Sequence, residues 1–279
     1  MTKIVSWKAW TGRIWVGGLV LFGVIAIYFQ PFSWQEFYSQ LDPAKIAAAL
    51  VFITIGKVLT IWLVKQSLTV FRQGRGFLFA WYAYSVGDIA KYLPGGVWGF
   101  VGSLSVFRSS GISLAIGGRI LVFETSILIV VSFLTGLGLV LAVQWPKLLL
   151  AIPLAFAAPI LIMAKFEIPF KLSAEIFLGQ IVAWLFFGAS FTMISGEIIK
   201  SATYAAGVFN VSFAVGTLAV FAPSGIGIRE IAINFLAGEA SRRLVEVAVL
   251  HRAIWLVCDI LVFVPIFLIK IFDRDPIAS

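Results

Sequence analysis

The sequence predicts an all-α fold, a polytopic integral membrane helical bundle with about eight membrane segments and two additional re-entrant half-helices, at about 20 residues per full span. Three observations carry that prediction. The 279 residues are 61% hydrophobic and 12% charged, with a mean hydropathy of +1.04, whereas soluble domains run near 45 to 50% apolar and about 25% charged. The apolar stretches are long enough to cross hydrocarbon as helices. Two of them are broken by Pro, Gly and charge, at Lys91-Tyr92-Leu93-Pro94-Gly95-Gly96-Val97-Trp98-Gly99 and at Ala222-Pro223-Ser224-Gly225-Ile226-Gly227-Ile228-Arg229-Glu230. Such breaks persist at membrane depth only where protein buries them or a wet cavity receives them.

Taken in order, Lys3, Lys8 and Arg13 precede a first apolar span at 12–29; Gln30-Pro31-Phe32 offers no cleavage site, so the span is read as retained. The aromatics of 30–42 suit the membrane interface. Further spans fall at 43–66, 77–93, 112–143, 147–164, 173–195, 202–221 and 244–270. The pieces 96–108 and 225–237 each follow a Pro-Gly break and are too short to span. We read them as half-helices, each returning along the span before it. The whole, 1–279, reads as one membrane domain with no room for a soluble catalytic one.

Charge orients this arrangement. With 77–93/96–108 opening to the cytoplasm and 202–221/225–237 opening outside, the cytoplasmic side holds Lys3, Lys8, Arg13, Lys65, Arg72, Arg75, Arg108, Lys165, Lys171, Lys270 and Arg274. The outside holds Lys45, Lys147, Lys200, Arg242 and Arg243. The bias places both termini in the cytoplasm of a cell inner (plasma) membrane protein. It also accounts for the net charge of +8 without nucleic acid. The two helix–break–half-helix units are compatible with inverted repeats, although they share little identity.

Half-helices starting near Gly95 and Gly96, and near Gly225 and Gly227, would aim unsatisfied N–H groups and positive dipole ends at one central region, the chemistry of an anion site. Arg229 and Glu230 follow the second break, pointing about 100° apart, so they need not pair with each other. Asp88 and Lys91 are spaced to pair on one helix face. Arg119 and Glu124 lie on different faces of a long apolar helix and must find partners elsewhere. Arg252 and Asp259 share a face two turns apart. Lys57, mid-span, is a second-tier candidate. Each of these charges is read either as a ligand or as a tie between helices.

Enzyme chemistry finds no support. His251 is the only histidine and Cys258 the only cysteine, which leaves no zinc site, disulfide or Ser-His-Asp arrangement to build. Walker and G-x-S-x-G motifs are absent. No cofactor, metal or catalytic residue is expected.

The Tyr92-Leu93-Pro94-Gly95-Gly96-Val97-Trp98-Gly99 element, the Arg119/Glu124 helix, the Pro223-Ser224-Gly225-Ile226-Gly227-Ile228-Arg229-Glu230 element and the Arg252–Asp259 span together resemble the lysylphosphatidylglycerol synthase transmembrane (flippase-like) family. The likeness runs over nearly the whole chain, and the P-x-G-x-G-x-R-E element is its most specific part; Ser224 stands where Gly is common. In longer relatives the membrane unit moves aminoacylated phospholipid between leaflets and a soluble C-terminal domain makes that lipid. Lacking such a domain, the chain resembles a stand-alone member. The resemblance implies membrane lipids as partners, through a phospholipid or polyprenyl-phosphate headgroup. The resulting expectation is a lipid translocase in which Arg229 and Arg252 contact or gate an anionic headgroup, while Glu124, Glu230 and Asp259 counter them or engage a cationic moiety. A polyprenyl-phosphate-linked glycan carrier, or a non-transporting scaffold for a glycosyltransferase or lipid synthase, remains the alternative; self-association is compatible with each.

Overall fold

The computed structural model describes residues 42–93, 97–147, 160, 163, 168–196, 198–199, 201–219, 225, 227–238 and 242–272. The expected first span, most of 147–164, and the break residues Pro94, Gly95, Gly96, Pro223 and Ser224 lie outside the described residues. Within them are eight helices and no strand: α1 Pro43–Val70, α2 Phe77–Ala90, α3 Trp98–Ser109, α4 Leu114–Gln144, α5 Phe170–Ser195, α6 Ala202–Leu218, α7 Ile228–Ala237 and α8 Arg242–Phe272. Four of these, α1, α4, α5 and α8, are long and apolar enough to cross a membrane, with mean hydropathies of 2.2, 2.6, 1.7 and 2.5. The chain is a helical membrane protein.

Local chemistry sets the helix starts. Asp42 Oδ1 accepts from Ala44 N at 2.9 Å, with Pro43 in the first turn of α1. Ser113 caps α4 through Ile116 N at 3.3 Å, and Ser201 caps α6 through Tyr204 N at 3.2 Å. The ends differ modestly from expectation. Helix α2 stops at Ala90, short of 93, because Tyr92 N and Leu93 N turn back to the carbonyls of Ile89 and Ala90 at 3.3 and 3.0 Å, ahead of Pro94, which disfavours helical backbone in the residue before it. Helix α7 starts at Ile228 instead of 225, since Gly225 and Gly227 take φ of 67° and 84°, a region open to glycine. Helix α8 begins at Arg242, so His251 and Arg252 sit well inside it.

The helices form two units in the same order. Units α1–α4 and α5–α8 have lengths of 28, 14, 12 and 31 residues and 26, 17, 10 and 31 residues. Exchanging the units maps the helix packing onto itself. Helix α4 packs on α6 as α8 does on α2; α3 on α4 as α7 on α8; α1 on α2 as α5 on α6. Likewise α4 meets α5 as α8 meets α1, and α1 meets α4 as α5 meets α8, while the α1–α5 contact is its own counterpart. Both short-helix hairpins close on glycine. A methyl group on Gly99 would come within 3.2 Å of the Gly87 carbonyl oxygen, and one on Gly225 within 2.8 Å of the Gly216 carbonyl oxygen.

The hairpins approach α8 from opposite ends. Trp81 Nε1 of α2 donates to Val262 O at 2.9 Å, and Lys270 Nζ lies 3.8 Å from the centre of the Tyr82 ring, so α2–α3 runs in beside the C-terminal half of α8. Tyr204 of α6 donates to Leu236 O of α7 at 2.6 Å, and Tyr204, Ala237 and Leu244 border one small hollow at the N-terminal end of α8. Two apolar clusters follow this division. Leu68, Phe79, Phe107, Ile120 and Ile266 form one; Ile53, Trp184, Phe187, Phe209, Leu244 and Trp255 belong to the other.

Candidate functional site

Between the hairpin tips lies a cavity of about 390 Å³, bordered by residues of all eight helices, with Val64 from α1 and Phe191 from α5. Its charged lining is Asp88, Lys91, Glu124, Arg229, Glu230 and Arg252, joined by Tyr84, Tyr92, His251 and Trp255. Six charges facing one hollow inside apolar helices are costly unless paired or occupied.

At the tip of the first hairpin, four charges interlock. Lys57 Nζ meets Asp88 Oδ2 at 2.6 Å and also contacts Asp259 Oδ1, while Lys91 Nζ contacts Asp88 Oδ1 and meets Asp259 Oδ2 at 2.9 Å. Tyr92 donates to Asp259 Oδ2 at 2.7 Å, and Lys57 Nζ donates to the Tyr84 hydroxyl at 3.4 Å and faces the Trp255 ring at 5.0 Å. Two cations against two carboxylates leave the cluster neutral. Its members come from α1, the end of α2 and α8, so it fastens the hairpin tip to two spanning-length helices. Lys57, at the middle of α1, is fully buried; the second-tier rank the sequence suggested undervalues it, since the cluster centres on it.

The second cluster lies about two turns along α8, roughly 10 Å away by helix rise. Arg252 Nε pairs with Glu230 Oε1 at 2.9 Å, and Arg252 also donates to Gly225 O at 3.1 Å. Glu230 Oε2 accepts from Gly227 N at 2.8 Å, so the third residue of α7 reaches back to the N–H of its own N-cap, the glutamate half of a capping box. At this helix start the Gly227 N–H, one of the donors expected to face an anion, is met by the chain's own carboxylate. Arg229 and Glu230 do not pair with each other, as their directions required. Arg229 instead stacks on Phe213, its guanidinium carbon 3.7 Å from the ring centre, and packs into the space left by Gly216; its Nε is buried with no hydrogen-bond partner.

Helix α3 differs from α7 at its start. Its N-cap residue Val97 makes no side-chain cap, and Gly99 and Phe100 of its first turn border the cavity. Gly95 and Gly96, expected there, lie outside the described residues.

The remaining candidates separate. Glu124 lines the cavity with Oε1 buried and unpartnered. Arg119 is exposed near the start of α4 and does not border the cavity. Arg252 and Asp259 share a face of α8, yet each serves a different cluster.

Two contributors went unmarked in the sequence, Tyr84 and His251. Tyr84 lies one turn before Asp88 and two before Lys91, a helical-spacing signal that was present. His251, the only histidine, is buried among Phe191, Phe209 and Trp255, sharing a 2.8 Å hydrogen bond with Ser190. Among the described residues no cluster of His, Cys, Asp and Glu could hold a metal.

Fold and site thus define a helical membrane protein with an internal charged cavity between two oppositely directed hairpins. No protein-family model matches the chain, and no curated protein matches it.

Proposed function

We propose that this protein is a lipid translocase in which the anionic headgroup of a phospholipid or related lipid enters the cavity while its chains stay in hydrocarbon. The observation that carries the reading is Arg229: a guanidinium held on the cavity wall by a ring stack, its Nε without a hydrogen-bond partner, in a cavity that the first turn of α3 also borders. A phosphate oxygen suits a guanidinium donor. We take the hairpins as re-entrant, because helices of 14, 12, 17 and 10 residues span about 15 to 26 Å, against a hydrocarbon core near 30 Å. With α2–α3 entering from one face and α6–α7 from the other, the exchange symmetry is that of inverted repeats, and the site sits at their interface. Six full spans follow when 12–29 and 147–164 are counted with the four long helices, and the two hairpins bring the membrane segments to about eight.

Orientation follows from charge. Lys65, Arg72, Arg75, Arg108, Lys171 and Lys270 gather at the end of the bundle where α8 finishes, and we assign that end to the cytoplasm of the plasma membrane. These features support membership of the lysylphosphatidylglycerol synthase transmembrane (flippase-like) family. One observation favours the scaffold reading: the Lys57–Asp88–Lys91–Asp259 cluster satisfies itself, as purely structural ties would. The experiment that separates them is movement of headgroup-labelled lipids across proteoliposome membranes, with a phospholipid panel and a polyprenyl phosphate. Movement of one class supports translocation and names the lipid; none with any lipid supports a scaffold.

A further inference from the structure

The exchange of units places Glu124 and Arg252 at equivalent points, each ten residues into a 31-residue helix, α4 or α8. Their surroundings are not equivalent. Arg252 finds its counter-charge one helix back, at Glu230 of α7. The matching helix for Glu124 is α3, whose sequence Trp98-Gly-Phe-Val-Gly-Ser-Leu-Ser-Val-Phe-Arg108-Ser has a cation only at its far end. Oε1 of Glu124 has no hydrogen-bond partner, and the side chain standing by the carboxyl is Ser67 of α1, whose hydroxyl already donates to Leu63 O at 3.1 Å.

The other titratable groups around the cavity are engaged elsewhere. From α2, Asp88 is held by Lys57 and Lys91, and the Tyr84 hydroxyl by Lys57. From α7, Glu230 is held by Arg252 and Gly227 N. From α8, His251 is held by Ser190. The described lining therefore sets Lys91, Arg229 and Arg252 against Asp88, Glu124 and Glu230. That balance leaves no charge for an anion to neutralise.

We propose that Glu124 is a proton-binding site that sets the charge of the cavity, so that a proton and a singly charged phosphate headgroup enter together. The carboxylate oxygen takes a proton from cavity water, the lining gains one net positive charge, and the phosphate neutralises it at Arg229. Release of both on the other side restores the balance. A lone ionised carboxylate among apolar helices is unfavourable, whereas the protonated acid or the proton–phosphate pair is not. The inference rests on the translocation reading for its coupling, but not for the proton site itself.

The test is chosen to keep those two apart. Infrared difference spectra of purified protein between acid and alkaline pH should show a protonated-carboxyl band that is lost in Glu124→Gln and returns, displaced, in Glu124→Asp. Retained burial of Cys258 reports that each variant is folded. A set of carboxyl bands unchanged by Glu124→Gln overturns the proton site whether or not any lipid moves. In proteoliposomes, the unmutated protein should accumulate labelled lipid in the direction set by a pH gradient, and an ionophore that collapses the gradient should abolish the bias. Lipid movement indifferent to the gradient overturns the coupling; no lipid movement at all refutes the translocation reading and leaves the infrared result to decide the proton site.

Discussion

Replacing Lys57 by Met should destabilise the protein strongly, because Lys57 is fully buried and bridges Asp88 and Asp259. The substitution keeps the apolar stem and removes the charge, leaving two carboxylates to one cation, Lys91. Removing one partner of a buried ion pair costs about 3 to 5 kcal/mol. At a few degrees per kcal/mol for a chain of this size, the midpoint of thermal unfolding should fall on the order of 10 °C. Cys258 supplies the assay. It is the only cysteine, is buried, and lies beside the cluster with Sγ 3.7 Å from Thr54 Oγ1, so a fluorogenic maleimide reports unfolding where the perturbation acts. Asp259→Asn added to Lys57→Met restores one cation to one carboxylate and should recover part of the loss. A Lys57→Met protein that melts with the unmutated one, or a double variant no better than the single, would refute the reasoning.

Two further outcomes are expected. Gly136→Val should lower the melting midpoint, since a Cβ there would lie 2.6 Å from Val211 N and 2.8 Å from Gly207 O where α4 crosses α6; overpacking of this kind costs about 1 to 3 kcal/mol. Gly118→Val on the same helix, with nothing within 4 Å of its Cβ, should melt with the unmutated protein. In a Cys258→Ala background, cysteines at Ser109 and Ser241 should react with a membrane-impermeant thiol reagent from opposite sides; reaction from the same side contradicts the opposed hairpins.

The sequence made the helices legible because hydrocarbon demands long apolar runs, and the breaks legible because Pro and Gly stand out within them. The Asp88–Lys91 pair and the shared face of Arg252 and Asp259 could be read from helical spacing alone. Their third partners could not, since Lys57 reaches Asp259 across 202 positions of chain and Glu230 reaches Arg252 from another helix. A lone mid-span lysine carries no local sign of what it meets. Glu230, three residues past Gly227, stood where a glutamate reaches back to an N-cap N–H, and reading it would have shown that the start of α7 supplies an anion of its own. The exchange symmetry of the two units was only suggested by the order of long and short segments, because packing, unlike identity, is what the repeats share.

The measurement closest to the central claim is movement of headgroup-labelled lipid in proteoliposomes, comparing the unmutated protein with Arg229→Gln, each checked for folding by protection of Cys258. The account predicts that the unmutated protein moves lipid and that Arg229→Gln, folded and with Cys258 still protected, does not. Equal movement by the two proteins would contradict a headgroup site built around Arg229.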